Sequence, residues 1–338
     1  MRLPSFLIAL LSAAAAQPAA AEVPNVATDI APVYALTARV MDGAGAPRLI
    51  IQHGASPHDY ALRPSEASAL AQADLIFQIG DALTPWLGNA LAKLAPKAQV
   101  VTLLTAPGTR ALPFRESAVF GVEEDEGHDH DHDHDHDHDH DHDNDEHHDQ
   151  DNGHEQEHGH GDAHDHDHEG VDPHAWLDPE NGKIWLTAIA DALSEADPQN
   201  APLYAANAAA GAAEIDKATA QISAQLAPLQ QTRFVVFHDA YQYFEHRFGM
   251  AATGAISLGD AADPSPARIA TLRAQMAAEQ VRCVFAEPQF NPGLVTAVAE
   301  GSGAATGVLD PMGSALPLDQ AFYPALLRDL AAGFAACP

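Results

Sequence analysis

Five of the chain's twenty-one histidines, His53, His58, His174, His238 and His246, stand apart from a single histidine tract. A neutral imidazole is a borderline-soft ligand, so isolated histidines at structured positions point to a transition-metal site. His58 follows the apolar run 48–52 (RLIIQ), His238 closes RFVVFH, Asp310 closes TGVLD, and His174 lies in VDPHAWLDPEN. Open α/β sheets bind ligands just beyond the carboxyl ends of their strands. His58, His174, His238 and Asp310 are therefore the candidate ligands, two from each half of the chain. Three imidazoles and one carboxylate match the ligand number and softness that Zn²⁺ favours, whereas two of each would suit a harder ion such as Mn²⁺. Glu287, at the end of RCVFA, is a candidate acceptor for the free N–H of a ligand imidazole. Asp59 and Asp239, each directly after a candidate ligand, invite the same role. His53 reads as loop surface, His246 as a solvent-facing helical residue, and Tyr60, Trp176 and Tyr241 as packing.

The other sixteen histidines are His128, His130, His132, His134, His136, His138, His140, His142, His147, His148, His154, His158, His160, His164, His166 and His168. From residue 128 to 143 histidine and aspartate alternate strictly, and no Lys or Arg occurs from 116 to 170. A segment with so little to bury is expected to stay disordered, and its imidazoles to bind metal weakly and in number. Its interior position and interleaved acids set it apart from an expression tag. Residues 123–169 carry twenty-two acids and no base, the larger part of the formal charge of −32. So acidic a chain is a poor partner for nucleic acid or an anionic membrane.

The elements that must position these side chains follow an alternating rhythm. Residues 1–21 (MRLPSFLIALLSAAAAQPAAA) have one basic residue, a short apolar stretch and a small-residue end, the pattern of a cleaved secretory signal. Strands are expected at 22–27, 48–52, 74–79 and 99–103, with helices at 31–41, 64–73 and 85–94 between them. The rhythm restarts with strands at 233–237, 251–258, 282–286 and 306–309, alternating with helices at 240–248, 266–279, 292–300 and 320–335. Such alternation implies parallel βαβ units. Between the halves, Asp197-Pro198 is expected to open a long helix to about Leu226, with Leu203/Tyr204, Ala208, Gly211, Ile215, Ala218, Ile222 and Leu226 recurring at helical spacing. The predicted organisation is a signal (1–21), a first α/β lobe (22–196, carrying the tract at 123–170), a linking helix (197–227) and a second α/β lobe (228–338). The two cysteines, Cys283 and Cys337, could pair in an oxidising compartment, closing a loop worth roughly 3 to 4 kcal/mol, or remain one buried and one terminal thiol.

The runs GASPHDYALRPSE, PHAWLDPEN, FVVFHDAYQYFEHRFGM, CVFAEPQF and GVLDPMG, in that order, resemble those of the ZnuA family, the zinc-binding solute receptors of bacterial ABC uptake systems. The resemblance covers nearly the whole chain after the signal. It implies two (βα)4-like lobes, a rigid linking helix, and one Zn²⁺ site in the cleft between them. His58, His174 and His238 match the family's three histidine ligands. Manganese and iron relatives carry a carboxylate where His238 stands. Some members place Glu immediately before the first histidine, where this chain has Pro57, so Asp310 or a water must complete the shell, and Asp310 is favoured. The resemblance also implies a Cys283–Cys337 disulfide, a periplasmic monomer, and delivery of zinc to an inner-membrane ABC permease, with a periplasmic zinc chaperone as a further partner. A manganese or iron receptor of the same fold, a zinc buffer and a metal-dependent hydrolase are the competing readings. The chain has no Gly-x-Ser-x-Gly, and HExxH occurs only as HEQEH at 154–158, inside the low-complexity tract rather than on an amphipathic helix.

Overall fold

The computed structural model describes residues 23–115, 117, 119–120, 170–257 and 264–337. The expected signal segment and the histidine tract lie outside the described residues.

Each half of the chain builds one parallel four-stranded sheet. In the first, β1 (Val26–Thr28), β2 (Arg48–Leu49), β3 (Leu75–Gln78) and β4 (Gln99–Thr102) lie in the order β2-β1-β3-β4. Helices α1 (Ala31–Val40), α2 (Pro64–Ala71) and α3 (Pro85–Leu94) connect them. After α4 (Pro179–Ala196) and α5 (Ala201–Leu226), the second sheet forms from β5 (Phe234–His238), β6 (Ala252–Ser257), β7 (Cys283–Ala286) and β8 (Ala305–Val308), in the order β6-β5-β7-β8. Its helices are α6 (Gln242–Phe248), α7 (Pro266–Ala278), α8 (Pro292–Ala299) and the closing α9 (Phe322–Ala335). Parallel strands covered on both faces read as continuous apolar runs. Accordingly every residue of β3 and β5 is buried.

The run 48–52 pairs as a strand only at Arg48 and Leu49, because β1 offers three residues to pair with. Ile50 and Ile51 still bury and donate their N–H groups to Thr28 and Asp29 at 2.9 Å. The helix expected from Asp197 starts four residues later, at Ala201. Asp197 instead ends α4 and shapes the turn, its carboxylate accepting from Asn200 Nδ2 (2.6 Å) and the Tyr204 hydroxyl (2.9 Å). The resulting 26-residue helix is roughly 39 Å long at about 1.5 Å per residue.

α5 buries Tyr204, Ala208, Gly211, Ile215, Ala218, Ile222 and Leu226, one stripe at helical spacing. α1 and α4 of the first lobe and α9 of the second all pack against it. A Cβ at Gly211 would lie 3.0 Å from Leu186 Cδ1 and 3.1 Å from Arg39 Cγ, so glycine lets the side chains of α1 and α4 pack closely on α5 there. Phe322, Leu326, Leu330 and Phe334 form the buried face of α9. Cys283, at the start of β7, is disulfide-bonded to Cys337 just beyond α9, with the Cα atoms 6.0 Å apart. One apolar core runs from Val26 through α5 to Phe334, tying the two lobes together.

One buried carboxyl makes this fold pH-sensitive. Asp29, at the end of β1, accepts from Ile30 N (2.7 Å) and Ile79 N (2.6 Å), yet its complete burial pushes its pKa up to about 7. A folded pKa above the unfolded value of 3.8 means the native state holds the proton more firmly. That stabilisation is full below about pH 4 and is lost as pH rises through about 7, falling by about 1.4 kcal/mol for each pH unit in between. Asp29→Asn should therefore flatten the stability profile between pH 4 and 7, read by urea unfolding at several pH values. A profile parallel to wild type would contradict it.

Candidate metal centre

The carboxyl ends of the strands converge on a small pocket between the lobes. His58, His174, His238 and Glu287 line it, with Pro57, Trp176, Phe290 and Met312 among its walls. His238 is the last residue of β5, its side chain 4% exposed. A buried polar ring at a strand end needs a partner. It finds one in Glu287, which follows β7: Oε1 lies 2.7 Å from His238 Nδ1. His174 precedes a single turn of 3-10 helix (Ala175–Leu177), its ring against Trp176 at 5.2 Å between centroids. Asp172 Oδ1 accepts from His174 N at 2.9 Å and lies 2.7 Å from His174 Nδ1. Sequence reasoning missed Asp172, although a carboxylate two residues before a candidate ligand was a usable signal.

The two imidazoles, one from each lobe, bring their Nε2 atoms to 3.3 Å. With each Nδ1 donating to a carboxylate, neutral rings present a lone pair at each Nε2. Two Zn–N bonds of about 2.0 to 2.1 Å at the tetrahedral angle separate the nitrogens by about 3.3 Å. The spacing of the pair therefore fits zinc.

His58 comes from the loop after β2. Trp86 Nε1 donates to Pro57 O (2.9 Å), the Tyr60 hydroxyl accepts from Gln52 N (3.3 Å) and donates to Glu66 (2.8 Å), and this frame holds the His58 ring 5.6 Å from that of His174. Among the described residues no three His, Cys, Asp or Glu side chains stand close enough together to hold an ion as they are.

Asp310 is placed differently from the three histidines. Its Oδ1 accepts from Gln289 Nε2 and Met312 N, both at 3.0 Å, and its Oδ2 from Ser314 N (2.6 Å) and the Ser314 hydroxyl. These four bonds shape the turn that presents Met312 to the pocket, and ligation would require giving some of them up. Asp239, beside His238, pairs with Arg115; burial pushes its carboxyl up and Arg115 works against that rise. His53 is half-buried rather than surface: its ring packs edge-on to Phe322, and Nε2 donates to Leu316 O at 3.1 Å, another contact between lobes. His246 is exposed, 2.6 Å from an Arg110 nitrogen.

The chain matches the family described as zinc-uptake complex component A, periplasmic (ZnuA), over residues 26–337. It is 46% identical over 334 residues to the high-affinity zinc uptake system protein ZnuA of Paracoccus denitrificans (strain Pd 1222), covering 98% of this chain and 97% of that protein. The protein of the same name from Brucella abortus (strain 2308) is 45% identical over 318 residues, covering 94% and 92%. In fold, a crystal structure of ZnuA superposes with a TM-score of 0.67 at 22% identity, covering 92% of this chain and 99% of that one. A mutant of the laminin-binding adhesin Lmb from Streptococcus agalactiae gives 0.69 at 21% identity, covering 93% and 100%. With the match running across almost the whole chain and both relatives spanned nearly end to end, this chain belongs to the ZnuA family of periplasmic zinc-uptake components.

Proposed function

We propose that this chain captures Zn²⁺ in the periplasm, holds it between His58, His174 and His238, and delivers it to an ABC permease for import. The observation that carries the reading is the His174–His238 pair, two carboxylate-backed imidazoles facing each other at 3.3 Å across the lobe boundary. Zinc is cargo here, and no catalytic step is part of the proposal. His58 completes the imidazole set. Asp310 completes the shell by giving up some of the four hydrogen bonds that now hold it, with water as the alternative fourth ligand. Residues 1–21 act as the export signal. Among the described residues no helix is long and apolar enough to cross a membrane. The tract at 123–170 collects zinc weakly.

Zinc titration separates this from a buffer built on the tract. A protein lacking residues 123–170 should keep one tight site and lose several weaker ones. His58→Ala/His238→Ala should lose the tight site and keep the weak ones. Loss of tight binding with the tract would place the functional site there instead.

A further inference from the structure

The described segments on either side of the tract meet each other next to His174. Residues 112–114 and 170–172 form a short antiparallel stem, with Pro113 paired to Val171, Phe114 N donating to Gly170 O (3.2 Å) and Asp172 N to Leu112 O (2.8 Å). This stem belongs to the first lobe, yet its partners lie on α6 of the second, in the segment that follows His238. The Tyr243 hydroxyl accepts from Leu112 N (2.9 Å) and donates to Asp172 O (2.7 Å), joining the two arms. In the amide orientation its neighbours require, Gln242 Nε2 donates to Pro113 O (3.0 Å) and Asp172 Oδ2 (3.1 Å). Asp172 is the carboxylate that orients His174.

Arg115 extends the stem. Its Nε donates to both oxygens of Asp239 at 2.9 Å, and its two terminal nitrogens donate to Glu245 at 3.0 Å. Glu245 in turn accepts from Ala252 N at 3.0 Å, at the start of β6. The guanidinium lies 3.7 Å over the Phe120 ring, and Phe120 N donates to Thr253 O at 2.9 Å. A planar fork shared by two buried carboxylates is a rigid joint that a lysine cannot reproduce. One end of this assembly therefore fixes Asp172 and through it His174; the other fixes Asp239, the neighbour of His238.

We propose that Tyr243, Gln242 and Arg115 are positioning residues of the metal site: they clamp the stem of the first lobe to α6 of the second, holding His174 and His238 at the separation zinc requires. The proposal rests on the reading of His174 and His238 as zinc ligands. Holding ligands through outer partners sets affinity, and losing such partners typically costs about 10- to 100-fold.

The test uses the full chain and its Tyr243→Phe, Arg115→Lys and His174→Ala variants. Zn²⁺ affinity of the tight site is measured by chelator competition, the visible absorption with half an equivalent of Co²⁺ reports ligand geometry, and urea unfolding of the metal-free protein reports stability. Tyr243→Phe and Arg115→Lys should each weaken Zn²⁺ binding about tenfold and diminish the intense bands of tetrahedral Co²⁺. Wild-type affinity and spectrum in Tyr243→Phe, whether or not its unfolding midpoint falls, would overturn the clamp. The isosteric Tyr243→Phe decides the matter should Arg115→Lys fail to fold. His174→Ala marks the separate failure: if it too keeps wild-type affinity and spectrum, the pair is not the zinc site and the clamp falls with that reading.

Discussion

His238→Ala should weaken the tight zinc site by two to three orders of magnitude while leaving the fold intact. A structural zinc held by four ligands gains about 10 to 16 kcal/mol in all, so one ligand's share is about 2.5 to 4 kcal/mol, and about 1.4 kcal/mol is tenfold in affinity. The substitution also leaves Glu287 Oε1 without the imidazole that now faces it at 2.7 Å, placing a carboxylate on the pocket wall. Calorimetric or chelator-competition titration measures the loss. A loss under tenfold would remove His238 from the ligand set. His238→Asp probes selectivity at the same position: the harder oxygen ligand should lower zinc affinity and raise that for Mn²⁺ relative to it. A zinc-to-manganese preference equal to wild type would contradict the assignment of selectivity to this imidazole.

The second large effect concerns stability. Cys283→Ala/Cys337→Ala should lower the free energy of unfolding by roughly 3 to 4 kcal/mol, the chain-entropy value for a closed loop of this length. The bond spans 54 residues and ties the end of α9 to the first residue of β7. α9 supplies Phe334, which packs against Phe234, Phe244 and Phe285 of the second lobe. Urea unfolding reads the change. The tight zinc site should keep its affinity, because Glu287 reaches His238 from the opposite end of β7. A stability change under about 1 kcal/mol, well below the chain-entropy value, would mean that α9 is held by packing alone.

What could be read in the sequence follows the range of the interactions concerned. Apolar runs and helical stripes are local, so both sheets, the buried face of α5 and the face of α9 were legible. His238 was legible because it ends the apolar run FVVFH, and Glu287 because it ends CVFA. Local signals also misplaced some boundaries: RLIIQ at 48–52 has a strand-like apolar centre, but the pairing ends with β1. Asp197-Pro198 looks like a helix start and is used as a turn. Tertiary contacts were not legible. Nothing beside Arg115 in the chain marks it as the partner of Asp239 and Glu245, more than a hundred residues away. Nor does TGVLDPMGS show that Asp310 accepts four hydrogen bonds from its own turn and Gln289. His53 looked like loop surface because its partners, Leu316 and Phe322, come from the other lobe.

The most direct measurement is anomalous diffraction at the zinc edge from crystals grown with one equivalent of zinc. One strong peak is expected, about 2.0 to 2.1 Å from a ring nitrogen of each of His58, His174 and His238. A principal peak away from the His174–His238 pair, or one that those two rings do not contact, would contradict the assignment of the metal site.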